Sequence, residues 1–246
     1  MKDYFTAFSM CQSMFCSIPF PCHLWEEQAR SKMLLFLPLV GLEIGAVWAF
    51  AGWLCQLLQL PWLVTALLLT VLPFLLTGFI HLDGFMDVTD AVGSCRDLQR
   101  RREILKDSHV GSFAVIGLML LMLSQFALFA SLEPNRSLWV LVLIPAVTRT
   151  AAGFAVDWLP SMSTSQYAGR TIFMGHLVFF GLTLLVLLAL GFLCFGLGGL
   201  APLGSLLGLI LALRRGYKSL EGMNGDISGY SITIGELTGI LILAII

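Results

Sequence analysis

The sequence predicts an all-α, polytopic integral membrane protein with about seven transmembrane helices. Three observations predict it. Of 246 residues, 58% are hydrophobic and only 12% charged, with a mean hydropathy of +0.90; a soluble domain carries about a quarter charged residues. The apolar residues gather into runs near the roughly 20 residues that a membrane span requires. Those runs are rich in Leu, Ile, Val and Phe without polar alternation, which disfavours a β-barrel.

In chain order, Phe5, Phe8, Cys11 and Phe15 fall at helical spacing and predict a short interfacial helix stopped by Pro19 and Pro21. Acidic Asp3, the polar break at Gln12 and Ser13, and the lack of a small-x-small site argue against a signal peptide. Spans are expected at 33–58, 61–80, 111–132, 138–157, 172–195, 200–213 and 231–246. The Gly-rich GLGGLAPLG (196–204) reads as the turn of a hairpin between two of them. No internal repeat is visible, which weighs against a secondary transporter. The six cysteines form no CxxC pair and read as reduced apolar fillers rather than zinc ligands or a disulfide frame.

Lys and Arg set the orientation. With the N-terminus inside, the inner segments are 1–32, 81–110, 158–171 and 214–230. They hold 12 of the 14 basic residues, among them Arg96, Arg100, Arg101, Arg102, Lys106 and Arg170. The long polar loops then all face the cytoplasm. A net charge of −1 and the absence of a basic tail give no sign of nucleic-acid binding.

Chemistry is concentrated in TGFIHLDGFMDVTDAVGSCRD (77–97). Asp83, Asp87 and Asp90 are spaced i, i+4, i+7, so a helix places them within an arc of about 60°. Three acids on one stripe repel near lipid unless a cation answers them. Mg²⁺ suits such a stripe, because it takes one or two carboxylates plus substrate phosphates. A solvated, acid-rich helix end is the plainer reading, but Gly84 signals a kink or a close backbone approach that such an end does not need. In EILKDSHVGSFAVIGL (103–118), Glu103 and Asp107 are again i, i+4, flanked by Lys106 and His109. This second pair is expected to face the first and complete a two-metal site, or else to be an exposed helix face. In RRGYKSLEGMNGDISGYSITIGEL (214–237), glycines surround Asn224 and Asp226 downstream of three basic residues, a pattern suited to phosphate. Arg149 sits inside a span, where it either binds phosphate or neutralises a carboxylate. Glu236 is placed near the site, and Glu43 is read as structural.

TGFIHLDGFMDVTDAVGS followed by EILKDSHVGSF resembles the signature of the cobalamin synthase family, the adenosylcobinamide-GDP ribazoletransferases. PLVGLEIGA (38–46), TRTAA (148–152) and GMNGDISGYSITIGEL (222–237) are similar to that family's first span, mid-chain Arg block and final loop and helix, in the same order, so the likeness runs nearly the whole length. Three departures stand out: Phe79 occupies a position usually held by glycine, His109 one often held by arginine, and GMNGD replaces the common GGQTGD.

The resemblance implies one membrane-embedded domain over 1–246, in the bacterial cytoplasmic (inner) membrane, with its catalytic loops cytoplasmic. It implies a Mg²⁺-dependent transferase that joins adenosylcobinamide-GDP to α-ribazole or its 5′-phosphate and releases GMP. On that reading the catalytic residues are His81, Asp83, Asp87 and Asp90, and the metal ligands are Asp83, Asp87, Asp90, Glu103 and Asp107. Substrate binding falls to Lys106, His109, Arg149, Asn224 and Asp226. The implied partners are the two substrates and the lipid bilayer, with no nucleic acid; a homo-oligomer or a complex with other cobalamin-assembly enzymes stays open. The alternatives are a CDP-alcohol phosphotransferase, a prenyltransferase or a divalent-cation transporter. Asp83-Gly84 lacks the following Ala-Arg of the first, the chain has one acid cluster rather than the two of the second, and the acids gather at one face rather than at mid-span as the third would want.

Overall fold

The computed structural model describes residues 2–163, 165 and 173–246; Arg170 and the predicted start of the fifth span at 172 lie outside them. Among the described residues the regular elements are all helical, apart from an isolated bridge between Ser161 and Met223. The helices are α1 (Lys2–Phe15), α2 (Arg30–Met33), α3 (Leu37–Leu57), α4 (Trp62–Leu76), α5 (Ile80–Gly93), α6 (Leu98–Ile104), α7 (Ser112–Ser131), α8 (Leu143–Trp158), α9 (Met174–Phe195), α10 (Leu200–Leu220) and α11 (Gly225–Ile245). Five helical stretches are long and apolar enough to cross a membrane, and a sixth is added if the bent pair α4–α5 counts as one. The 47-residue stretch Met174–Leu220 contains both α9 and α10, broken at Gly196. The expectation of about seven spans therefore stands.

Helix α8 is the centre of the bundle. Its span is 83% buried, against 22% for α7, which turns Ile116 and Leu120 outward. Pro145 in its first turn cannot donate to the carbonyl four residues back, so the segment opens as a 3₁₀ turn over Trp139–Val142 before α8 begins. Helix α3 approaches it through two glycines four residues apart. A methyl group on Gly41 would lie 2.6 Å from the Pro145 carbonyl oxygen, and one on Gly45 would collide with Val142. Small residues at this spacing let backbones touch where lipid supplies no hydrophobic drive between helices.

At one end of the bundle, Gln56 donates to the carbonyls of Pro134 and Arg136, each at 2.8 Å. The other end gathers α1, α5, α6, the 159–162 segment after α8 and the turn before α11. There Met162 and Met223 exchange main-chain bonds with each other's segment. Helix α1 ends at Phe15 rather than at the prolines beyond, because the chain turns for Ser17 N–H to donate to the Leu76 carbonyl at 2.8 Å. The last two helices run longer than expected: α10 continues through its basic residues to Leu220, and α11 starts at Gly225, where the Asn224 side chain caps it by accepting from Ile227 N–H at 3.0 Å.

The predicted span 61–80 stops at Leu76. Gly78 N–H donates to Leu75 and Phe79 N–H to Phe74, the paired bonds of a Schellman ending, and α5 leaves at 92° to α4. Gly78 adopts φ +56°, natural for glycine, but Phe79 adopts φ +64°, which crowds its Cβ against the carbonyl. Phe79→Gly is expected to raise stability by about 1 kcal/mol, since the Phe79 ring is half exposed and little packing is lost. Unfolding of the purified protein in denaturing detergent measures this; an unchanged or lowered midpoint contradicts it.

Candidate functional site

The bend at Gly78–Phe79 turns α5 across the end of the bundle, and this places the acid stripe. One face of α5 buries His81, Phe85 and Val88, while Asp83 is exposed and Asp87 and Asp90 are half-buried on another. The sequence expectation about Gly84 resolves as a close approach: a Cβ there would sit 2.8 Å from the Asp226 carbonyl oxygen. One turn along, Gly229 is equally tight against the His81 backbone. These two contacts bring the start of α11, and with it Asp226, beside the stripe. The negative charges of Asp83, Asp226 and Asp90 all act on Asp87, and that of Asp83 acts on Asp226.

Among the described residues, no lysine or arginine pairs with any of these four carboxylates. What they do have is neutral. Asp226 accepts from the Asn224 amide at 2.6 Å, and Asp90 lies against Gly111 at the start of α7 and accepts from Ala114 N–H at 3.4 Å. Two cavities flank the stripe. One, of about 550 Å³, is lined by Ser13, Ser17, Thr77 and Asp83; the other, of about 710 Å³, by Asp90, Arg96, Arg100, Glu103 and Ser112.

The donor chemistry fits Mg²⁺: hard carboxylate oxygens, paired with no lysine or arginine among the described residues. Among the described residues, however, no three acidic, His or Cys side chains converge into a ready-made cage.

The second acidic segment differs from its expectation. Glu103 and Asp107 do not share a helix face, because α6 stops at Ile104. Asp107 accepts from the His109 main chain at 3.0 Å, a local turn that competes with further helix, and its carboxylate meets the His109 ring at 2.7 Å. That contact holds Asp107 below the ordinary carboxylate range, and Arg100 at 2.8 Å, then Gln99, does the same for Glu103. Both acids are thus answered within their own segment, although Glu103 still lines the larger cavity with Asp90. Lys106 is exposed beside Arg102 and Glu103.

His81 is turned from the acids. It lies about 200° round the helix from Asp83, stacks on Phe15 at 6.2 Å and places Nδ1 3.5 Å from Arg149 Nη2. Arg149, only 1% exposed, bonds Glu236 through Nη1 and also reaches the Pro145 carbonyl at 3.3 Å. Of the two sequence readings of Arg149, the structure carries carboxylate neutralisation. Sequence reasoning missed a different pair: Arg101 donates to the Ser219 carbonyl, and Arg102 to those of Leu220 and Glu221, so α6 is clamped to the C-terminus of α10. Their only signal was the basic run itself, which suits a helix C-terminus but names no partner.

Fold and site together define a class: a polytopic helical membrane protein with a carboxylate stripe laid across one end of its bundle. Residues 7–244 match the family described as cobalamin-5-phosphate synthase, and the chain belongs to that family. It is similar to proteins named adenosylcobinamide-GDP ribazoletransferase. That of Clostridium perfringens (strain SM101 / Type A) is 37% identical, over 100% of both chains. That of Clostridium botulinum (strain Alaska E43 / Type E3) is 33% identical, over 98% of this chain and 97% of the other, and that of Clostridioides difficile (strain 630) 29%, over 89% and 90%. No solved structure matches the chain.

Proposed function

We propose that this protein is an adenosylcobinamide-GDP ribazoletransferase, which joins that donor to α-ribazole or its 5′-phosphate and releases GMP. The observation that carries the reading is the stripe Asp83, Asp87 and Asp90 with Asp226, crowded together without a paired lysine or arginine among the described residues. Family membership supports the substrates, and the flanking cavities leave open space on both sides of the stripe.

In this reading Asp83, Asp87, Asp90 and Asp226 would hold Mg²⁺, with Glu103 and Asp107 as further ligands. When bound, the metal offsets the diphosphate charge and the charge that builds on the departing GMP. The ribazole 3′-hydroxyl oxygen forms a bond to the phosphorus attached to cobinamide; the bond from that phosphorus to the bridging oxygen breaks, and the electron pair leaves with GMP. Asp83, the most open of the stripe, accepts the hydroxyl proton, because His81 is buried and faces a guanidinium. Substrate phosphates fall to Lys106 beside Glu103, His109 in the loop before α7, and Asn224 against Asp226. Asp83 and its neighbours are held by rigid helix contacts, so positioning and electrostatics supply most of the rate.

The test is GMP release by the purified protein in lipid from adenosylcobinamide-GDP plus α-ribazole, with and without EDTA, and with CDP-activated and prenyl diphosphate donors as controls. GMP release abolished by EDTA is expected; preference for either control donor overturns the reading. We place the α6 end of the bundle in the cytoplasm of a bacterial inner membrane, following the basic residues. A reporter fused after Arg102 is then expected to behave as cytoplasmic, and a periplasmic signal reverses the orientation.

A further inference from the structure

The larger cavity beside the stripe is chemically unlike the rest of the bundle end. Its walls come from the 94–104 segment and the first turn of α7, and they are polar and charged. At about 710 Å³ it falls within the size of small-molecule sites and suits a nucleotide rather than an adenosylated corrinoid. Two guanidinium groups line it. Arg100 is taken by Glu103 at 2.8 Å, whereas the Arg96 side chain has no ion pair or hydrogen bond among the described residues. A guanidinium free of protein partners on the wall of an open polar cleft is matched to a phosphomonoester, which it binds with paired, charge-assisted bonds. Asp90 belongs both to this wall and to the stripe, so a diphosphate laid along the stripe presents one end here.

We propose that this cavity is the guanylate subsite, in which Arg96 binds the phosphate of the GMP half of the donor and of the departing product. The inference rests on the transferase reading above. The rival source of the same chemistry is the 5′-phosphate of the acceptor.

Calorimetric titration of the protein in nanodiscs with Mg²⁺ present separates them, using GMP, guanosine and α-ribazole 5′-phosphate against wild type, Arg96→Ala and Arg96→Lys. Arg96 is exposed on a loop, so neither variant is expected to unfold. GMP binding should weaken about tenfold or more in Arg96→Ala and less in Arg96→Lys, with guanosine and the ribazole phosphate unaffected. Wild-type GMP affinity in Arg96→Ala, no GMP binding by wild type, or loss confined to the ribazole phosphate each overturns the subsite. Turnover keeps the two ideas apart. Arg96-dependent GMP binding without GMP release from the donor leaves the subsite standing and removes the transferase reading; release with Arg96-independent binding does the reverse.

Discussion

Asp87→Asn is expected to lower GMP release by roughly a hundred- to a thousandfold and to leave the fold intact. Asp87 is the member of the stripe on which Asp83, Asp90 and Asp226 all act, so it sits at the middle of the proposed cation site. Asparagine keeps its shape while removing the charge proposed to hold a cation. The face of α5 that anchors the helix is a different one, built from His81, Phe85 and Val88 together with the Gly84 and Gly229 approaches. The same substitution relieves like-charge repulsion, so without Mg²⁺ the variant should unfold no earlier than wild type, and slightly later if the crowding costs stability. A catalytic stripe predicts this opposition between activity and stability; a plain surface helix predicts little change in either. Near-normal GMP release from Asp87→Asn removes the stripe from the mechanism.

The spans and the stripe were readable because each depends on local pattern: long apolar runs, and acids at one helical spacing. The bend that aims the stripe was readable in part. Gly78 is an ordinary helix-ending residue, but nothing local says that Phe79 will take a left-handed conformation; that follows from α5 packing against α11. Gly84 announced a close approach without naming its neighbour, since Asp226 lies far along the chain. The clamp of Arg101 and Arg102 on the end of α10 joins residues 118 apart or more and has no periodic trace. The Glu103–Asp107 pairing failed for a local reason. An i, i+4 spacing places two residues together only if the helix continues, and Asp107 stops it by bonding its own turn. Asn224, read as part of a phosphate loop, also caps a helix, a role that the same Gly-flanked pattern serves equally well.

Arg149→Met is expected to destabilise the protein by about 3–5 kcal/mol. Glu236 would keep its carboxylate at 8% side-chain exposure with no cation beside it, against the central helix of the bundle. Changing both partners removes that orphan, so Arg149→Met with Glu236→Leu should recover most of the loss, as expected when a buried pair is replaced by apolar groups. The double variant also decides what Arg149 is for. A purely neutralising arginine predicts GMP release within about tenfold of wild type once the fold is restored, because the stripe and both cavities are built from other residues. A phosphate-binding arginine predicts a protein that is stable and inactive. Unfolding midpoints in detergent and GMP release from the same preparations separate the two. The geometry favours the first outcome: Arg149 already spends Nη1 on Glu236 and the Pro145 carbonyl, and its other terminal nitrogen faces His81 on the side of α5 away from the acids.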